Sequence, residues 1–418
     1  MRIAFVIETF PSTTEVAILN QVIGLIESGA DVTIFTFNKS YLKEKNIHQK
    51  VFQQPLNIIE LPKPAFSKYK NEWKNKLAVR FNALPLLWRS FLISPGLSWK
   101  AITESTYGET KNGFKIIYAI QPLLEQNSNF DVIHCQFGPM GLWGAILRDL
   151  GLLKGKLITS FRGYDINDLP QKTNEEIYSF LKLKGDLFTA NTLNTKQNAI
   201  KLGFESNKIH IIPSSINVKE FQYLNRGYDK ENEFEILTVA RLTEVKGLEY
   251  AIKAMAILKN DFKLTNFRYR IVGEGELKQS LQALIDENDL HDQVILEGYH
   301  SQEALRSFFY NKAHLFILPS IITSTGNKEA QGVVLQEAQA CGIPVIGTNT
   351  GGIPEGILDG KSGFIVPDKE PRSIAKVVQK ILTEPLLIKQ MGSEGRRFVE
   401  ENFDINSVTK NLIHLYQS

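Results

Sequence analysis

Short β-branched runs alternate with amphipathic helical stretches through both halves of this chain, and few folds accept that rhythm. Strand-like runs fall at 2–7, 31–37, 132–135, 157–160, 187–190 and 209–212, with helical patterns at 16–28, 142–150, 175–183 and 195–202. The second half repeats the theme, with strands at 235–239, 268–272, 293–297, 315–318 and 344–348 and helices at 247–258, 276–287, 302–311, 333–340 and 374–382. Strand, helix, strand in succession builds a parallel sheet covered by helices. At 418 residues the chain exceeds one ordinary core. The expectation is an α/β protein with two Rossmann-like, doubly wound parallel-sheet domains. The polar stretch 225–233 reads as the linker between the halves. Ligands of such sheets bind beyond the strand C-termini, and two facing domains would place the site in the cleft between them.

The composition narrows the class. A hydrophobic fraction of 43% and a charged fraction of 22% are those of a globular protein, and a net charge of +3 is too small to argue for nucleic acid. The two cysteines, Cys135 and Cys341, read as small buried hydrophobes in a reducing compartment, not as a disulfide or a metal pair. The chain opens on a buried strand without the apolar core and cleavage site of an export signal. Its most membrane-like stretch, 84–99, is interrupted by Arg89, Pro95 and Gly96, so it falls short of a span. A soluble cytoplasmic protein is expected, with the inner face of the membrane as its alternative location.

Residues 63–120 break the rhythm. Lys63, Lys68, Lys70, Lys74, Lys76, Arg80, Arg89 and Lys100 interleave there with Phe66, Tyr69, Trp73, Phe81, Trp88, Phe91 and Trp99. One reading is a helical insertion with a solvated basic face and a packed aromatic face. The other is peripheral contact with an anionic membrane or a lipid-linked acceptor.

Polar residues collect where the strands end. Arg241 follows the strand 235–239, and Lys246 precedes Gly247 at a helix start. Two cations beside a helix end form a diphosphate clamp, with arginine binding bidentately and lysine as a point charge. Gly326-Asn327-Lys328-Glu329-Ala330-Gln331-Gly332-Val333-Val334 is a polar, glycine-bearing loop running into an apolar helix that carries Glu337. Glu329 on that loop can reach a ligand lying at the helix N-terminus, where free N–H groups and the helix dipole attract anions. Gly273-Glu274-Gly275 is a strand–turn–helix glycine pair that lacks the last glycine of a dinucleotide fingerprint and suits close approach of a nucleobase or ribose. Tyr299 either lines that pocket or packs at its strand end. In the first half, Thr13 or Thr14 could be a helix cap with Glu15 in the first turn, or all three could face a substrate. His134, Arg162 and Asp165 also lie at strand C-termini, and His134 is equally readable as a satisfied buried histidine. The seven histidines show no metal-ligand spacing, and no Asp-x-Asp follows a strand, so no metal is expected.

Taken together, Arg241, Lys246-Gly247, Gly273-Glu274-Gly275, Glu329 with Glu337, and Thr350-Gly351-Gly352-Ile353-Pro354-Glu355 resemble the family-4 retaining glycosyltransferases of the GT-B fold. The first half is similar to a bacterial exopolysaccharide branch of the colanic-acid type, through Phe10-Pro11-Ser12-Thr13-Thr14-Glu15, Leu19-Asn20-Gln21, Gly138 and Gly163-Tyr164-Asp165. The resemblance implies that Arg241 and Lys246 hold the donor diphosphate and Glu329 the donor-sugar hydroxyls. It implies Glu337 on the ribose, the 273–275 turn near the base, and Gly332, Val333 and Val334 at the phosphate-facing helix end. It further implies an N-terminal domain over 1–215, a nucleotide-sugar domain over 216–400 and a final helix within 401–418 crossing back. Two positions depart from the family: Arg162 stands where histidine is usual, and Glu329-Ala330-Gln331-Gly332 replaces the commoner Glu-Gly-x-Pro. Arginine keeps a donor and a positive charge but cannot act as a neutral base.

The expected reaction is transfer of a hexose, with retention and without metal or bound cofactor, from a UDP- or GDP-sugar to a saccharide or lipid-linked acceptor in surface polysaccharide synthesis. The leaving diphosphate would help deprotonate the acceptor, since no strand-end carboxylate stands out as a covalent nucleophile. A sugar-nucleotide epimerase or phosphorylase of the same fold, and an inactive nucleotide-sugar-binding subunit, are the alternatives.

Overall fold

The computed structural model describes residues 1–12, 16–39, 56–63, 72–124 and 129–418. The chain divides into two compact units. The first comprises Met1–Asn191, Lys196–Ile212 and Asn411–Ser418, and the second Thr192–Thr195 and Pro213–Lys410.

The first unit is built on a seven-stranded parallel sheet of order β3-β2-β1-β4-β5-β6-β7. Its strands are β1 (Arg2–Phe10), β2 (Asp31–Lys39), β3 (Asn57–Glu60), β4 (Asn129–Gln136), β5 (Lys154–Phe161), β6 (Leu187–Ala190) and β7 (Ile209–Ile211). Runs such as Ile3-Ala4-Phe5-Val6 are buried throughout, as a strand covered on both faces must be. The second unit carries a six-stranded parallel sheet of order β10-β9-β8-β11-β12-β13. Its strands are β8 (Phe234–Val239), β9 (Phe267–Val272), β10 (Val294–Gly298), β11 (Leu315–Leu318), β12 (Val345–Thr348) and β13 (Gly363–Val366). Successive side chains of a strand point to opposite faces. Ile236, Ile271, Ile317 and Ile346 accordingly enter one core, while Leu237, Val272, Phe316 and Val345 enter the other.

Three expectations change. The stretch 225–233 is not a linker but part of the second unit. Arg226 is buried there and donates to the carbonyls of Asn311 (2.8 Å) and Tyr310 (2.5 Å), while Tyr228 packs edge-on against Phe234. The edge strands β3 and β13 lie outside the expected strand set. Phe81, Trp88 and Trp99 do not form a packed face either. The helix Glu72–Ile93 buries Val79, Ala83 and Ser90 and leaves Phe81 and Trp88 exposed, as is Trp99 on the helix Pro95–Thr103. Small residues let that helix approach the core closely, so the large rings fall on the other side. Phe66, Lys68, Tyr69 and Lys70 lie outside the described residues. Both cysteines are free and buried, as expected, and burial pushes the Cys341 thiol up to about 12.

Candidate functional site

The loops at the C-terminal end of the second sheet are laced together by their backbones. Leu242 N–H donates to Glu274 O (2.9 Å), Leu277 N–H to Leu242 O (3.0 Å) and Gly273 N–H to Gly298 O (2.8 Å). This lacing needs glycine at 273, where φ is +146° and a Cβ would sit 1.9 Å from Ala240 O. The loops after β8, β9 and β10 therefore form one surface. It brings Arg241, the 273–275 turn and Tyr299 to the same end of the sheet.

A second layer of contacts carries the acids. Gly352 N–H donates to Glu329 O at 3.0 Å, and the Gln331 amide clasps Ser214, accepting from its N–H (2.8 Å) and donating to its carbonyl (3.0 Å). Gly332, at φ +75°, then turns the chain into the helix Val333–Ala340. The loop 329–332 is thus held by two partners, Gly352 and Ser214, before its helix begins.

On this frame Lys246 Nζ donates to Glu329 Oε2, and each side chain is 15% exposed. Burial works to raise the Glu329 carboxyl, but the Lys246 charge and hydrogen bond, the Ala330 N–H and Arg241 outweigh it and hold it below the usual range. The Arg241 guanidinium is exposed and makes no hydrogen bond to any described residue. Glu337, one helix turn inward, accepts from the Tyr310 hydroxyl at 2.7 Å. Burial raises its carboxyl, and the Tyr310 bond and the Arg306 charge offset this in part. Tyr310 follows directly on the π-turn Leu305–Phe309, an insertion that often accompanies functional positions. Tyr299 stands 77% exposed after β10 and is not packed at its strand end. Glu274 pairs with Lys278 at 3.0 Å on the surface.

In the first unit the expected residues divide. Arg162 is half-buried and donates from Nε to Gln136 Oε1 (2.9 Å) and from Nη2 to Gln21 Oε1 (3.2 Å). Asp165 is turned inward, its oxygens accepting from the N–H groups of Gly138 (2.8 Å), Arg162 (3.0 Å) and Gly163 (3.0 Å). His134 is fully enclosed, with Nδ1 2.5 Å from the Tyr416 hydroxyl and Nε2 2.7 Å from Ser160 Oγ. Burial and then the Arg162 charge push His134 down to about 3, so it is neutral. Asp165 and His134 are thus both buried, with their polar atoms engaged in enclosed hydrogen bonds at the strand ends. Thr13, Thr14 and Glu15 lie outside the described residues. Among those residues, no group of three His, Cys, Asp or Glu is placed to hold a metal ion.

Sequence reasoning missed the partners: Tyr310 for Glu337, Gln331 for Ser214, and Gln136 with Gln21 for Arg162. Gln21 and Gln331 carried a signal as members of Leu19-Asn20-Gln21 and Glu329-Ala330-Gln331-Gly332, but not the partners they hold. The second unit can bind an anion beside a carboxylate, with Lys246 and Arg241 for the charge and Glu329 for adjacent hydroxyls.

Known proteins share this organisation. Residues 224–398 match the family described as "Glycosyl transferases group 1", and residues 100–220 the family described as "Glycosyltransferase Family 4". The chain is 31% identical to the colanic acid biosynthesis glycosyltransferase WcaL of Escherichia coli K12 and 30% identical to that of Salmonella typhimurium, covering 100% of each. It is 28% identical to the amylovoran biosynthesis glycosyltransferase AmsK of Erwinia amylovora, over 100% of this chain and 99% of that one. Among solved structures, Anabaena HepE in complex with UDP and glucose superposes with a TM-score of 0.69 at 15% identity, covering 100% of this chain and 99% of that one. Sucrose-phosphate synthase from Thermosynechococcus elongatus gives 0.67 at 19% identity, covering 100% and 98%. At those identities the structural matches speak for the fold alone.

Proposed function

Because the chain belongs to the family-4 glycosyltransferases of GT-B fold, we propose that it moves a hexose from a UDP- or GDP-sugar to a saccharide or lipid-linked acceptor in bacterial surface polysaccharide synthesis. The anomeric configuration is retained, no metal or bound cofactor takes part, and the protein works in the cytoplasm. The names of its full-length relatives support the pathway. The Lys246–Glu329 pair, with exposed Arg241 at the same sheet end, carries the chemistry.

An incoming diphosphate competes with Glu329 for Lys246. With Lys246 and Arg241 on the phosphates, the Glu329 carboxylate is released to accept hydrogen bonds from the sugar hydroxyls. The N-terminus of Val333–Ala340, behind Gly332, faces the same anion. Glu337, steadied by Tyr310, accepts from the ribose. The 273–275 turn, with Glu274, and Tyr299 border the base. Arg162 and the Thr13-Thr14-Glu15 loop serve the acceptor.

In the chemical step the C1–O bond to the diphosphate breaks as the acceptor oxygen bonds C1 on the same face. The departing phosphate oxygen takes the acceptor's proton, giving a glycoside and a nucleoside diphosphate. Lys246 and Arg241 stabilise the charge that develops on the leaving group.

Thermal shift with UDP-, GDP- and ADP-sugars identifies the donor, and nucleoside diphosphate release with added acceptor measures turnover. Arg241→Ala should lower kcat by about 100-fold or more, the usual cost of one lost transition-state charge contact. Full turnover in that variant would falsify the clamp. Donor conversion without any acceptor would indicate an epimerase instead.

A further inference from the structure

The helix Glu72–Ile93 presents two apolar faces, and among the described residues one of them packs into the first unit. Val79, Ala83 and Ser90 are buried, with the Tyr118 hydroxyl donating to Val79 O (2.8 Å) and Gln121 Nε2 to Ser90 Oγ (2.9 Å). At about 100° per residue, Phe81, Leu84, Trp88 and Leu92 fall on the opposite side. They are 67%, 52%, 70% and 71% exposed, and Trp99 on the following helix is 65% exposed. A row of large apolar side chains in water marks a surface that something covers.

The charges indicate what covers it. On the same helical wheel Arg80 and Arg89 lie roughly 80–100° to either side of the stripe, and both are exposed. From residue 78 to 103 the chain carries no acid, and of its cations Arg80, Arg89 and Lys100 the last is paired with Asp149 at 2.9 Å. Tryptophan rings favour the boundary between water and lipid. Arginine stems lie along acyl chains while their guanidinium groups reach headgroup phosphates.

We propose that this face docks on an anionic phospholipid surface, with the helix lying in the plane of the interface. Among the described residues no helix is long and apolar enough to cross a membrane, so the contact is one of lying on the surface. It goes beyond the donor chemistry and uses none of the residues assigned to it.

The test is flotation of the full chain with phosphatidylglycerol–phosphatidylcholine vesicles and with phosphatidylcholine alone. Binding is expected only to the anionic vesicles at low salt, with release by roughly 0.5 M salt. Trp88→Ser with Leu92→Ser should weaken partitioning about tenfold or more. Arg80→Glu should weaken it as well. The thermal shift given by nucleoside diphosphate should stay unchanged in all variants, which separates failure of docking from failure of the donor reading. No flotation of the native chain at low salt overturns the proposal, as does equal flotation of the Trp88/Leu92 variant. A native dimer that this variant dissolves, without vesicle binding, overturns it too and assigns the face to a second copy.

Discussion

Lys246 and Glu329 mean more as a pair than apart. Each was legible as a polar residue at a turn after an apolar strand, but their contact spans 83 residues of sequence and follows from neither position alone. A double-mutant cycle with Lys246→Met and Glu329→Gln should give a coupling of about 1–3 kcal/mol by chemical denaturation, as expected for a mostly enclosed pair. Additive losses would show that the two charges do not support each other. Tyr310 is the clearest residue that sequence reasoning missed. Nothing in its neighbourhood marks a tyrosine whose hydroxyl orients a carboxylate 27 positions away. Tyr310→Phe should raise the donor KM several-fold with kcat little changed. It should also shift the Glu337 ionisation further upward, because the bond it removes is one that lowers it. A change in kcat alone would assign Tyr310 elsewhere.

Secondary structure was readable for every strand inside a sheet, and of the four edge strands β7 and β10 were read while β3 and β13 were not. β3 and β13 are four residues each and flank their sheets, so each satisfies one neighbour and shows no long apolar run. A helical insertion was one reading of 63–120, but which apolar side its helix Glu72–Ile93 would bury was not legible, because Phe81 and Trp88 are larger than the Val79 and Ala83 that win the core. Packing selects shape as well as hydrophobicity. The helix Val333–Ala340 depends on Gly332 at φ +75°. Gly332→Ala should cost about 1–2 kcal/mol of stability from the left-handed backbone. Its Cβ would press to 2.8 Å from Leu318 Cδ2. Donor affinity should fall with it, measured by the thermal shift; unchanged affinity would remove the helix end from the site.

Across the whole chain, two histidines set an acid limit. Burial holds His134 near 3 and, with the Arg226 charge, His314 near 4, against 6.5 for an unperturbed ring. Above pH 6.5 both are neutral folded or unfolded, and their contribution is complete. Below 6.5 the unfolded chain takes up protons that the folded one refuses. Stability then falls as pH falls, by up to about 1.4 kcal/mol per pH unit for each histidine, until the folded values are reached. Denaturant melts between pH 7 and 4.5 should show this slope, and His134→Gln should flatten part of it. A level profile in the native chain would mean that His134 is not kept neutral. The same histidine binds Tyr416, so the final residues 411–418 close the first unit's polar interior.

Hydrophobic periodicity and turn residues are local, so the chain's own order of residues was enough for two parallel α/β units and for the polar groups at their strand ends. Pairing is not local. Which residues those groups hold, that Asp165 and His134 turn inward, and that 225–233 belongs to the second unit follow from folding that joins positions distant in sequence. A buried polar group accepts whichever partner the packed backbone brings to it, and sequence spacing does not encode that choice.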